Sequence, residues 1–278
     1  MILDHLRQEY LKSICETILF VDEDGIPSNA DKHSEISTSL AKRWVENIGF
    51  KVQSSPKPGQ TSGRLFEKAT EIYLQAALAH LQHLRPGEWQ FFIGRKVDDF
   101  EQYEHLAELS NALKTHKELR AALGDYMIVP DIVIGRTPVE DQEINRLESL
   151  LSENSSSRLT PFRKMNSQKL ILHASISCKW TIRSDRSQNS RTEGLNLIRN
   201  RKGKTPHIAI VTAEPYPQRI AFLALGTGDI DCVYHTALLE LQAAANTYNN
   251  SAVNEMLETL VSGKRLRDIS DLPFDLIS

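Results

Sequence analysis

The chain is short of several things, and each shortage narrows what it can be. Its 278 residues include only three cysteines, Cys15, Cys178 and Cys232, widely scattered. Disulfides would leave one of them over, and none sits at metal-ligand spacing, so the pattern predicts a reduced, cytoplasmic protein with no zinc site. The nine histidines show no metal spacing either. No apolar run approaches the roughly 20 residues that a membrane-spanning helix needs. The N-terminal MILDHLRQEYLKSIC carries charge throughout and lacks the apolar stretch of a secretory signal. There is no Walker loop and no HExxH, and Gly226-Thr227-Gly228 is too short for a nucleotide fingerprint. Internal repeats are absent. Aromatic residues make up only 7 %, but 40 % hydrophobic and 25 % charged residues suit an ordinary folded chain, long enough to bury a substantial core.

Excess positive charge is missing too. The net charge is −3, which argues against a protein that coats nucleic acid with its whole surface. The charge is unevenly placed, however. Between Lys179 and Lys204 eight Lys or Arg residues face two acids, a local net charge of +6 on an acidic background. Such concentration fits a specific nucleic-acid site or, more simply, a solvated helix face.

Hydrophobic periodicity and turn residues predict helices at about 3–20, 35–48, 65–84, 98–123, 139–151, 188–199, 233–248 and 251–262. In the third of these the recurring apolar residues are Leu65, Ile72, Ala76, Leu81 and Leu84. Strands are expected at about 126–134 and 170–183, with further short apolar runs at 207–213 and 219–225. The stretches 21–33, 54–63 and 152–169 read as polar loops. Helices, then a strand cluster with one helix inserted, then helices again, describe an α/β fold with helical flanks. We expect one domain over 1–278: a helical part at about 1–124, a sheet core at about 125–232 and C-terminal helices at about 233–278.

Four residues carry the chemistry. Asp131 follows Pro130 inside the apolar run MIVPDIVIG. Ser177 and Lys179 end a second run, LILHASISCKWTI, and Glu193 lies 14 positions beyond the lysine. Alternation along a strand puts Ser177, Lys179, Thr181 and Arg183 on one face and Ile176, Cys178, Trp180 and Ile182 on the other, toward a core. Hydrolysis of a phosphodiester needs a divalent cation to neutralise the phosphate and a positioned, deprotonated water. Hard carboxylate oxygens such as those of Asp131 and Glu193 suit Mg²⁺, which takes only one or two protein carboxylates. Lys179 can hold the phosphate and orient the water. Glu67 is a further candidate, for a second cation. The plainer reading is an Asp131–Lys179 structural ion pair with Glu193 as a solvated helix residue.

The set Pro130-Asp131, Ser177-Cys178-Lys179 and Glu193 resembles the restriction endonucleases that read a CCGG core, a branch of the PD-(D/E)xK nuclease superfamily. The superfamily pattern has an acid two residues before the lysine, where this chain has Ser177. In the CCGG branch that carboxylate comes from the following helix, where Glu193 stands. The likeness extends through HASISCKWTIRSDR (173–186), EGLNLIRNRKG (193–203), HIAIVTAEP (207–215), ALGTGDIDCVYH (224–235) and GKRLRDISDLP (263–273), and to PGQTSG (58–63) and SNAD (28–31). It implies a restriction-endonuclease-like core, a mixed central sheet flanked by helices. It further implies a Mg²⁺-dependent type II enzyme that holds two metals per active site, cuts double-stranded DNA to leave 5′ overhangs and assembles as a homotetramer. A companion methyltransferase would protect the host.

The same stretch offers a means of reading sequence. Arginine is bidentate to guanine O6 and N7, and a carboxylate accepts from cytosine N4. Arg183, Asp185 and Arg186 could therefore serve two adjacent C·G pairs, with Ser187 capping the helix that follows; an Arg–Asp salt bridge on a turn is the plainer alternative. By resemblance, Gln60 meets the central bases in the minor groove, and Asp31 with Arg219 the outermost C·G pair, which implies GCCGGC. Two other readings compete: a noncatalytic DNA-binding protein on the same fold, and a PD-(D/E)xK nuclease of DNA repair.

Overall fold

The computed structural model describes residues 1–53, 59–116, 118, 121, 128–152, 156–182 and 184–278, with the backbone alone for 184–188. Helix α1 (Ile2–Thr17) buries Tyr10, Leu11, Ile14 and Cys15, one stripe at helical spacing. Helix α2 (Glu35–Ile48) starts where the Ser34 side chain accepts from the Ser37 N–H, and stops at Gly49, whose φ of +74° is left-handed. Helix α3 (Gly59–Leu81) is followed by strand β1 (Trp89–Ile93), α4 (His105–Thr115), β2 (Ile132–Arg136), the single turn α5 (Asp141–Ile144) and β3 (Ile171–Lys179). Then come α6 (Ser184–Asn200), β4 (His207–Thr212), α7 (Pro217–Ala224), β5 (Cys232–His235), α8 (Leu238–Tyr248), α9 (Ser251–Ser262), β6 (Leu266–Asp268) and α10 (Leu272–Ile277).

Among the described residues, six strands form one mixed sheet in the order β1-β2-β3-β4-β5-β6. Strand β2 runs antiparallel to both β1 and β3, and β3 to β6 run parallel to one another. Parallel neighbours need crossover connections. Helices α6, α7 and the α8–α9 pair supply them in turn. Lys179, Thr212, His235 and Asp268 lie side by side across the parallel half, at the C-terminal ends of their strands. Apolar residues pack on both sheet faces. The larger cluster joins Ile132, Ile176 and Val211 to Leu11 and Ile14 of α1, and to Trp44, Phe66 and Leu257. The smaller joins Val133, Leu172 and Ile208 to Leu197 of α6 and to Phe100 and Tyr103. A buried Arg7 donates to Asp268 (2.8 Å) and Glu240 (2.6 Å), tying α1 to β6 and α8.

The mixed sheet with flanking helices is the expected fold class, but several boundaries differ. The sheet reaches outside 125–232: β1 lies in the expected N-terminal helical part, and β6 in the expected C-terminal helices. Both strands are short and lie at sheet edges, with too little alternation to be legible. The run 219–225 is helical because Pro217 at the first helical position sets the backbone there. Residues 233–235, expected in a helix, belong to β5, and only Asp141–Ile144 of the expected 139–151 helix is helical. Helix α3 begins six residues before Leu65, and its buried stripe is rotated. Phe66, Tyr73, Leu74, Ala77 and Leu81 face inward, while Ile72 is 53 % exposed. Strand β3 stops at Lys179, and α6 already begins at Ser184, so Ser187 is inside the helix rather than its cap.

Candidate active site

Each candidate side chain is set by an ordinary local device. Asp131 occupies a bend just before β2, following Pro130, which has no N–H for a ladder. Its own carbonyl accepts from the Gly94 N–H at the end of β1 (3.1 Å). Ser177 and Lys179 are two residues apart on β3 and share a face, as alternation predicts, while Ile176 and Cys178 join the larger core cluster. Helix α6 returns across the Ser177 face. It buries Leu197 against Ile208, and Glu193 lies one turn earlier on the same side. Gly194 permits that approach: a Cβ there would stand 2.3 Å from the Asp229 carbonyl oxygen.

The four residues meet. Asp131 Oδ2 accepts from the Cys178 N–H (2.7 Å) and from Lys179 Nζ (2.9 Å). Ser177 Oγ donates to Glu193 Oε2 (3.2 Å). Helix α3 contributes Gln60, Arg64 and Glu67, one face at helical spacing. All three line the same cleft as Asp131, Lys179 and Glu193, a space of about 960 Å³.

The acids lie close enough for each to act on its neighbours' charge. Burial pushes the Glu193 carboxyl above the usual carboxylate range. Lys179 draws it back down, Asp131 pushes it up, and the Ser177 hydroxyl lowers it. Burial likewise raises Glu67, with Asp131 adding to the rise and Lys179 and Arg64 opposing it. One lysine therefore serves several neighbouring carboxylates, and the cleft has surplus negative charge that a cation would relieve. Among the described residues no three His, Cys, Asp or Glu side chains form a ready-made metal cage. A donor set of one or two carboxylates, with water completing the shell, is what Mg²⁺ accepts and what zinc at a structural site does not. Asp131 and Glu193 fit that role, with Glu67 beside them.

The candidate base readers fare unevenly. Arg183 lies outside the described residues, and Asp185 and Arg186 belong to the first turn of α6, where the backbone alone is described. Gln60 is exposed in the first turn of α3 rather than in a loop. Asp31 and Arg219, 188 positions apart, form an ion pair. The N–H of His33 and the Arg219 charge hold the Asp31 carboxyl below the usual range. Both line a second hollow, which shares Phe20, Ser28 and Thr181 with the active-site cleft.

One further acid is not among the candidates that the sequence singles out. Glu214 follows β4 and is completely buried. Its Oε2 accepts from the Ile182 N–H (2.9 Å) and its Oε1 from the Tyr216 N–H (3.3 Å). The chain does carry a signal for it, since Glu214 closes the apolar run HIAIVTA and precedes a proline, as an acid standing against apolar residues.

Comparison with known proteins comes down on one family. The model of the NgoMIV restriction enzyme family matches residues 10–278. The type II restriction enzyme NgoMIV of Neisseria gonorrhoeae is 48 % identical over 265 residues, 93 % of this chain and 92 % of that protein. Among solved structures, the type IIF restriction endonuclease Bse634I with cognate DNA aligns with 98 % of this chain and 92 % of its own, at a TM-score of 0.38 and 16 % identity. The restriction endonuclease PspGI in complex with substrate DNA aligns with 99 % of this chain and 91 % of its own, at a TM-score of 0.31 and 12 % identity.

Proposed function

Because the chain belongs to the NgoMIV family of restriction enzymes, we propose that it cuts double-stranded DNA at the palindrome GCCGGC, with Mg²⁺ as cofactor, leaving 5′ overhangs. The chain is a type II restriction endonuclease, a site-specific deoxyribonuclease. Restriction endonucleases generally work with a divalent metal. The observation that carries the finer reading is the joined set at the end of β3. Asp131 holds Lys179, while Ser177, at the usual place of an acid, is hydrogen-bonded to the acid on the next helix, Glu193.

The roles follow from that arrangement. Asp131 and Glu193 would hold the cation, and Glu67 would face a second one. Bound Mg²⁺ would neutralise phosphate charge and make its water a stronger acid. The Lys179 ammonium, which Asp131 holds in place, would donate to the scissile phosphate and orient the attacking water. A cation beside Glu193 and Glu67 would offset the burial that raises both carboxyls and hold them in the charged form. Ser177 orients Glu193.

For recognition, Arg183, Asp185 and Arg186 read the two inner C·G pairs, Gln60 the central bases, and Asp31 with Arg219 the outer pair. Arg199, Arg201, Lys202 and Lys204 contribute salt-dependent backbone attraction rather than choice of sequence. A palindrome calls for a reader with at least two-fold symmetry, and the assembly we infer is a homotetramer. The apolar cluster shared by Leu11, Phe66, Ile176 and Leu257 supports treating the chain as one domain. No helix among the described residues is long and apolar enough to cross a membrane. We place the enzyme in the cytoplasm, beside a methyltransferase that modifies the same site. The test is a Mg²⁺-dependent digest of a plasmid of known sequence with its ends mapped. Fragments ending within GCCGGC are expected; equal cutting of ACCGGT would remove the outer-pair assignment, and no cutting in Mg²⁺ would remove the cofactor.

A further inference from the structure

Glu214 is the most conspicuous buried acid that the chemistry above leaves unused. Its two carboxylate oxygens serve two different pieces of chain. Oε2 takes the N–H of Ile182, in the short link between Lys179 and the residues from 183 onward, and Oε1 takes the N–H of Tyr216, at the start of the helix that bears Arg219. Its backbone is tied to the catalytic strand as well. The Thr212 hydroxyl donates to the Lys179 carbonyl (2.7 Å) and accepts from the Glu214 N–H (3.1 Å). On the far side of the link, the Trp180 ring stands edge-on to Phe66 of α3, their centroids 5.3 Å apart.

We propose that Glu214 is a positioning residue that couples base reading to cutting, its carboxylate setting the 180–182 link and the start of α7 in one register with Lys179. The inference rests on the reading in which residues 183–186 and Arg219 meet the bases. The pieces that would read the inner and the outer pairs both depart from atoms that this carboxylate holds. Ordinary structural needs do not call for a charge here. Burying a carboxylate is costly, and a neutral side chain could bond either N–H alone. Only a carboxylate presents two equivalent acceptors, so only it satisfies both segments at once.

The same geometry makes the device sensitive to pH. Among the described residues, three charged or titratable groups face Glu214 from the elements packed on it. Arg219 of α7 stabilises its charge and is itself paired with Asp31, whose carboxylate opposes that charge. His235 of β5 sets Nε2 against the Glu214 carbonyl (3.2 Å), and burial pushes its ring down to about 4, so it is neutral near pH 7. Burial raises the Glu214 carboxyl to about 7, against the pull of the Ile182 N–H and Arg219. A proton added to either oxygen turns an acceptor into a donor and releases one of the two segments.

The experiment compares wild type and Glu214→Gln in Mg²⁺ on duplexes holding GCCGGC, ACCGGT or GCATGC, between about pH 6 and pH 8. The readout is the ratio of kcat/KM for GCCGGC to that for each altered site. The ratio cancels the pH dependence of the hydrolysis itself. In wild type it should fall as pH drops through the neutral range. In Glu214→Gln it should be at least about tenfold lower at the upper end and flat with pH, since a glutamine cannot titrate. A variant that keeps the wild-type ratio and profile overturns the inference and leaves the recognition reading standing. A wild-type enzyme with no preference for GCCGGC at any pH overturns both. Should the variant fail to fold, the wild-type profile decides alone: a ratio flat across the range overturns the inference.

Discussion

Ser177 Oγ donates to Glu193 Oε2 across 3.2 Å, joining the strand that carries Lys179 to the helix that follows it. The hydroxyl stands two residues before the lysine and contacts an acid supplied by the next helix. The carboxylates that line the cleft, Glu67, Asp131 and Glu193, therefore come from separate elements of the chain.

That division of labour separates two substitutions. Glu193→Gln removes a proposed cation donor and should lower cleavage by about 10²–10⁴-fold. Ser177→Ala removes one hydrogen bond worth about 1 kcal/mol and should lower it by about tenfold or less. Single-turnover cleavage in Mg²⁺ measures both. Equal losses would give Ser177 a direct part in the chemistry.

Asp131 and Lys179 should be separable from recognition. Asp131→Ala or Lys179→Ala is expected to reduce cleavage by about 10²–10⁴-fold while a gel shift in Ca²⁺ still shows preference for the cognate duplex. Unchanged cleavage in either variant would strip that residue of its role. Loss of both cutting and binding would point to the structural ion pair instead.

Gly194 tests how closely α6 must approach the chain before β5. A Cβ at this position meets the Asp229 carbonyl oxygen at 2.3 Å, so backbone has to move. Gly194→Ala should destabilise the fold by about 1–3 kcal/mol, as overpacking does, despite the better helix propensity of alanine. Because Glu193 is the adjacent residue, cleavage should fall further than stability explains. Thermal melts paired with cleavage rates distinguish the two effects.

Glu214 carries a stability cost with a definite sign. Its folded carboxyl is raised to about 7, above the ordinary 4.5 that the unfolded chain retains. The associated stability is fully present below the unfolded value and is lost as pH rises through the folded one. The loss is about 3 kcal/mol by pH 8. Glu214→Gln does not titrate, so its stability relative to wild type should improve between about pH 4 and pH 8 by up to that amount. Urea unfolding at the two pH values checks it, and a difference independent of pH would contradict the buried charge.

Much of the candidate site is legible along the chain because charged residues that interrupt apolar runs are costly and therefore informative. Asp131 in MIVPDIVIG and Lys179 after LILHASISC are visible on that ground, and Glu67 and Glu193 on helical spacing and resemblance. Glu214 gives the same kind of signal in HIAIVTAEP, but nothing along the chain shows which groups it meets. Helices with strong local punctuation are equally plain. Ser34 and Gly49 bound α2, and Asn250, whose side chain accepts from the Val253 N–H, opens α9. Elements that lack such punctuation are not legible. Five residues of β1 and three of β6 hold too little periodicity to be told from loop or helix, and the inward face of α3 is not the one its apolar spacing predicts.

By itself, the order of residues determined which groups are present and how they alternate: two acids and a lysine in apolar settings, Ser177 and Lys179 on one strand face, a basic stretch directly after them. Tertiary structure alone decided which of them meet. The pairing of Asp31 with Arg219 spans 188 positions, and the reach of Glu214 to both Ile182 and Tyr216 depends on β3 and β4 lying in parallel register. Local propensity acts over a few residues, whereas such contacts are fixed only when burial of apolar faces brings distant segments together and fixes their register.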